Sequence, residues 1–257
     1  MAWARCPYSD PAFAYTAAGL HKAWRRLHAG DAEPWPAEPA LVDAWIAFHA
    51  GRFEEAARQG LDAGMAGYAV ANKATCIHAV YLEPSAATRS ERFLQVAERC
   101  EQQQARQPSN PAAFYWHAYA LGRHAQAVSV VKALAQGIGA RVKASLDTTL
   151  ALAPRHADAH IALGVYHAEI IDKVGALLGG LSHGASREAA LGHFRQALAL
   201  NPDSVIARVE YAQALAMLDG RKGAQAAIAL CEEAAAIKPH DAMERLDVER
   251  ARQALED

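Results

Sequence analysis

Ala190-Leu191-Gly192-His193-Phe194-Arg195-Gln196-Ala197 runs on through Leu198 to Asn201 and stops at Pro202. Ala227-Ile228-Ala229-Leu230-Cys231-Glu232-Glu233-Ala234 runs on to Lys238 and stops at Pro239 with the same offsets. Offsets of zero, four and seven put three small or apolar side chains on one helical face. A proline just beyond the last turn cannot continue the helix. Val142, Leu146, Thr149 and Pro154 keep the spacing with weaker residues. Each helix has an apolar partner upstream: 160–167 before Ala190, 208–215 before Ala227, and 114–122 before Val142. In the first, Leu163-Gly164 sets a small residue where two helices must touch.

Composition agrees with a helical chain. The chain has 257 residues, 52% apolar, with 62 alanines. Alanine is the strongest helix former and lets helices approach closely. Val, Ile, Thr and aromatics do not dominate, as a sheet protein would require. Lys+Arg 26 against Asp+Glu 28 lacks the basic surplus of a nucleic-acid binder. No apolar run reaches 18 residues, so no membrane span is expected. No leader-like stretch is read at the start, and Cys6, Cys76, Cys100 and Cys231 form no CxxC pair. A cytoplasmic chain with cysteines as small buried hydrophobes is expected.

The paired pattern resembles the tetratricopeptide repeat (TPR) family, a helix–turn–helix unit of about 34 residues. The likeness is good from 156 to 239 and fair from 110 to 154. Gly51-Arg52-Phe53-Glu54-Glu55-Ala56, with Leu41, Ala44, Trp45 and Phe48 before it, resembles the turn and second-helix start of a degenerate repeat. The implied fold is all-α: a right-handed TPR-like superhelical solenoid of antiparallel helix pairs, about five in number. It is expected as one domain over 1–257, with degenerate repeats over 1–108 and three clearer ones over 109–239. An amphipathic helix over 240–257 is expected to cap the last repeat. Asp10-Pro11 reads as a helix start, with a helix from there to about His28. Residues 29–39 read as a proline-broken loop, and helices follow near 39–50, 53–64, 69–82 and 87–106.

The repeat spacing is irregular. From Gly164 to Ala190 the chain uses 26 residues where the family uses 12, the surplus lying at 170–184. A similar surplus lies at 124–139. Two extensions emerging at the same edge should lie side by side. An apolar, glycine-bearing insertion followed by Ala-Ser-Arg-Glu-Ala-Ala-Leu-Gly-His-Phe (185–194) resembles the regulator of microtubule dynamics proteins. It is similar, less closely, to the T-component of TRAP transporters. The anchoring or coiled segments of the eukaryotic relatives are not seen here, so the resemblance does not imply microtubule binding.

Chemistry-bearing motifs are sparse. There is no GxxxxGK[ST], no GxSxG and no HExxH. His156, His160 and His167 lie at i, i+4 and i+7 intervals, as do His117 and His124 at i, i+7; core or surface packing is the expected role, with no metal and no cofactor. Glu169 with Asp172, and Glu244 with Asp247, read as solvated charges. The expectation is a non-enzymatic module binding a protein or peptide partner in an apolar concave groove. The expected groove positions are Phe114, His117, Leu121 and His124, then Ile161, Val165 and Ala168, then Ile206, Val209, Gln213 and Ala216. The first of these helices can slide by two residues, because Pro108 and Pro111 both fit its start. The alternative is an apolar small molecule held beneath the 124–139 and 170–184 extensions, in a component associated with a transport system.

Overall fold

A computed structural model describes residues 3–8 and 10–256. It is all-helical: among the described residues there are no strands. Five helix pairs follow in order. They are α2 (Pro39–His49) with α3 (Phe53–Asp62), α4 (Tyr68–Tyr81) with α5 (Ala86–Arg106), and α6 (Pro111–Val128) with α8 (Ile138–Leu152). The last two are α9 (Ala157–Val174) with α11 (Arg187–Leu200), and α12 (Val205–Asp219) with α13 (Ala224–Ala236). A helix α1 (Ala17–Leu27) precedes them and α14 (Ala242–Glu256) follows. Each leading helix also packs on its neighbours in the next repeat, which makes a helical solenoid.

The expected start at Asp10 forms only a single 3-10 turn, Pro11–Phe13, with Asp10 accepting from the Ala12 N–H. Thr16 caps α1 separately. Helix starts elsewhere follow side-chain chemistry: Ser85, Asn110, His156, Ser186 and Ser204 each accept from an N–H in the first turn. The 124–139 surplus becomes the short helix α7 (Val130–Ala135), and the 170–184 surplus contains α10 (Ala176–His183). α7 packs on α6, α8 and α9, whereas α10 packs on α9.

The repeat signature has a steric basis at α9 and α11. Phe194 is fully buried and stacks on Tyr211 with ring centroids 5.0 Å apart. A Cβ added to Gly164 would stand 2.7 Å from the Phe194 ring, so only glycine admits it. Gly164→Val is expected to cost about 1–3 kcal/mol through overpacking. Gly192, one position on the open side of α11, has nothing within 4 Å. There alanine should gain up to about 1 kcal/mol of helix propensity. Urea unfolding of the two variants tests the contrast.

α14 does more than cap. Val248 and Ala251 pack with Val205, Val209 and Ala234, closing the last repeat. Its first turn, Ala242 to Leu246, packs with the N-terminal aromatic cluster of Trp24, Trp45, Phe48 and Phe53. The two ends of the solenoid therefore meet. Arg26 holds Glu244 at 2.6 Å, the Tyr15 hydroxyl donates to the His240 carbonyl at 2.8 Å, and His49 Nδ1 lies 2.7 Å from Asp241.

Candidate functional site

Bringing the ends together covers part of the concave face. The 29–39 loop enters it. The Asp158 N–H, one of the unpaired donors at the start of α9, donates to the Gly30 carbonyl at 3.0 Å. A Cβ on Gly30 would overlap the Asp158 carboxylate, so any other residue there would have to displace that side chain. Next to it, Asp31 takes Lys73 Nζ at 2.6 Å and His28 Nδ1 at 2.9 Å, and all three side chains are buried. His28 Nε2 faces His49 Nε2 at 3.3 Å, and His49 passes the chain on to Asp241. One of those two ring nitrogens must donate and the other accept. Burial would raise the Asp31 carboxyl, but His28 and Lys73 hold it well below its ordinary value.

Inside this closure lies an apolar cavity of about 140 Å³. Tyr81, Tyr115, Trp116 and Tyr119 supply aromatic walls from α4 and α6. Ile161, Val165 and Ile170 line it from α9, Ile206 from α12 and Met243 from α14. Of the two extensions, α7 reaches it through Val130, Ala133 and Leu134; the 170–184 segment reaches it through Ile170. α10 instead leaves Leu177, Leu178 and Leu181 exposed. A second, more open hollow of about 550 Å³ adjoins the cavity, sharing Tyr81, Arg123 and Gln126 and adding Arg89 and Arg250.

The polar groups of the cavity are few, and Lys73, Glu210 and Asp247 among them are buried. Glu210 holds Arg123 at 2.8 Å and Arg250 at 3.2 Å. Burial raises that carboxyl, and the two guanidiniums outweigh burial and keep it low. Asp247 accepts from the Tyr81 hydroxyl, and burial lifts it to about 8. Burial lifts Asp158 to about 7, with Asp31 adding repulsion and Lys73 opposing both. Glu169 takes an N–H from Gln126 at 2.6 Å and lines the same space. Asp247 is thus a buried cavity group, not the solvated charge expected from sequence, while Glu169 lines the cavity from a half-buried position.

The profile of the family described as Regulator of microtubule dynamics protein 1-3 matches residues 68–257, from the first residue of α4 onward. The chain belongs to this family. No curated protein matches it. Among solved structures it is similar to a thermophilic TPR protein in Thermus thermophilus. That likeness has a TM-score of 0.57 at 18% identity, over 83% of this chain and 97% of the other. YrrB, a TPR protein with an unusual peptide-binding site, superposes at a TM-score of 0.42 and 14% identity, over 94% of this chain and all of the other. The first likeness carries the TPR-like fold.

In this Regulator of microtubule dynamics family chain, the expected groove residues divide. Ile161, Val165 and Ile206 line the cavity. The face of α6 differs from the expected one: the cavity meets Tyr115, Tyr119, Gly122 and Gln126. His117 turns instead between α5 and α8, on Ser145 at 2.8 Å and Glu101 at 3.2 Å, and Leu121 is buried in that core. His124 meets Ser90 of α5 at 2.8 Å, and Phe114 is half-buried outside the lining. Ala168 packs in the core between α9, α11 and α12. Val209 is sealed under α13 and α14, Gln213 accepts from Arg250 at 3.0 Å, and Ala216 is exposed outside the lining. His156 caps α9 from a buried position, and His160 meets His193 at 2.9 Å between α9 and α11. Among the described residues no three His, Cys, Asp or Glu side chains converge as a metal would require, and no helix is long and apolar enough to cross a membrane.

Sequence reading missed Lys73, Tyr81, Tyr115, Tyr119, Asp158 and Asp247. The available signal was the i, i+4 run of aromatics at 115 and 119, continued at Arg123. It marks a face of α6 that is neither plain core nor plain surface.

Proposed function

We propose that this chain is a non-catalytic TPR-like binding module that takes an apolar small molecule into the cavity beneath the 124–139 extension. The supporting observation is the closure itself. With Gly30, Asp31 and α14 across the concave face, the remaining space is a chamber of benzene-scale volume, not a channel for a partner helix. Ligand sites of this kind are concave, mostly apolar and carry few polar groups. Toluene at about a hundred times its Kd should stabilise the fold by roughly 2.7 kcal/mol through mass action. Calorimetric melting with and without the ligand reads this directly. Val165→Trp, which fills the chamber from α9, should keep the helical circular dichroism and abolish the shift. A Val165→Trp protein that still responds to toluene would place the ligand elsewhere.

The adjoining hollow favours a second reading, a peptide partner. Its 550 Å³ could seat a short stretch of backbone while one apolar side chain enters the cavity past Tyr81 and Arg123. Toluene would then compete with such a peptide, and competition distinguishes it from binding to the solenoid's exterior.

A further inference from the structure

We propose that the cavity selects an apolar organic cation, a hydrophobic amine whose body fills the aromatic chamber and whose ammonium is neutralised by the carboxylates of Asp158 and Asp247. This rests on the cavity being a ligand site and names the chemical class of its ligand.

Charge balance along the cavity wall points to a cation. The cations at the cavity are Lys73 and Arg123, with Arg250 just behind. Asp31 takes Lys73, and Glu210 takes both arginines. Among the described residues, no ion pair remains for Asp158, Glu169 or Asp247, all three of which face the cavity. Asp158 is the clearest case. It sits on the wall with no side-chain hydrogen bond to any described residue, although desolvation governs its titration. An anionic ligand would meet three carboxylates whose cations are already used. A neutral ligand would leave them as they are. A cation supplies the missing partner on a half-buried, mostly apolar wall, where charge pairing is stronger than in open water.

The walls suit the same ligand. Tyr81, Tyr115, Trp116 and Tyr119 line the cavity, and aromatic rings attract ammonium groups over their faces. Tyr119 already carries the Arg123 guanidinium 5.2 Å over its ring, so the chamber tolerates a cation on that surface. The groups acting on Asp158 are Asp31 and Lys73, and those acting on Asp247 are Tyr81, Arg250, Asp241 and Glu244. Burial holds both carboxyls near the edge of ionisation, so an arriving cation completes the ionised state.

Titration calorimetry on the full chain with benzylamine, benzyl alcohol and benzoate tests this, since the three differ mainly in charge. The amine should bind about tenfold or more tighter than the alcohol, and benzoate weakest. The double variant Asp158→Asn with Asp247→Asn should erase the preference for the amine while holding the alcohol within about twofold. Retained alcohol binding shows that the chamber is intact. If the double variant does not fold, Asp158→Asn alone decides by the same comparison. An alcohol that binds as well as the amine, or a preference that survives the substitutions, overturns the cationic ligand and leaves the cavity reading standing. If none of the three binds, both readings fall.

Discussion

Asp31→Asn should lose about 3–5 kcal/mol of stability, although it changes one atom on a loop. The loop is not an ordinary one. Asp31 is buried, and so is Lys73, whose ammonium it holds at 2.6 Å. Burial pulls the Lys73 ammonium down, and Asp31, with help from Asp158 and Asp241, outweighs it and leaves the group raised. Without the Asp31 carboxylate, a buried cation stands against Trp45 and Phe48 with only Asp158 and Asp241, neither bonded to it, to balance it. The same change weakens the acceptor for His28, which links through His49 to Asp241. Guanidinium unfolding measures the loss. The decisive control is the double variant Asp31→Asn with Lys73→Met, which removes both charges. It should be more stable than Asp31→Asn alone, because the cost lies in the unpaired charge and not in the lost contact. A single variant within about 1 kcal/mol of wild type would mean that the closure does not depend on the Asp31–Lys73 pair.

That network also marks the limit of what the sequence displays. Helix pairs α9 with α11 and α12 with α13 were legible because their information is local. Three positions per helix face, a small residue at the crossing and a proline after the last turn all fall within a few turns of each other. The glycine at 164 even names its partner, since its missing Cβ is what admits Phe194. The face of α6 was not legible. Pro108 and Pro111 both suit a helix start, and a helix crowded with Phe114, Tyr115, Trp116 and Tyr119 has no polar side to fix its rotation. The closure was less legible still. His49 and Asp241 lie 192 positions apart, and no periodicity links a loop residue such as Gly30 to the first turn of α9. A capping helix over 240–257 could be expected from its amphipathic pattern. Its contact with the N-terminal aromatics could not, because one apolar stripe serves both surfaces. The family match begins at α4, so the N-terminal part of this closure lies outside the matched stretch.

Asp247→Asn should stabilise the chain in alkaline solution and do nothing in acid. Burial lifts the Asp247 carboxyl from 3.8 to about 8, while the unfolded chain titrates at its ordinary value. Its contribution is therefore complete below about pH 4 and is lost as pH rises towards 8, where the native state must hold a buried anion. A shift of this size corresponds to roughly 6 kcal/mol as a ceiling, and relaxation of the site reduces it. Asparagine keeps an acceptor for the Tyr81 hydroxyl without the charge, so a gain of about 1–3 kcal/mol at pH 9 is expected, falling to near zero at pH 4. The acid limb has another origin and should not move. Burial depresses His28 and His156 to about 4, so the unfolded chain binds their protons first and stability falls as pH drops from 6.5 towards 4. Urea midpoints at pH 4, 7 and 9 for wild type and Asp247→Asn separate the two limbs, and equal midpoints at pH 9 would remove the buried anion as a source of strain. The carboxylate that weakens the empty protein at high pH is the one an ammonium would neutralise. Benzylamine should therefore raise the wild-type midpoint most at pH 8–9, where that anion is otherwise uncompensated, and should have its smallest effect on Asp247→Asn.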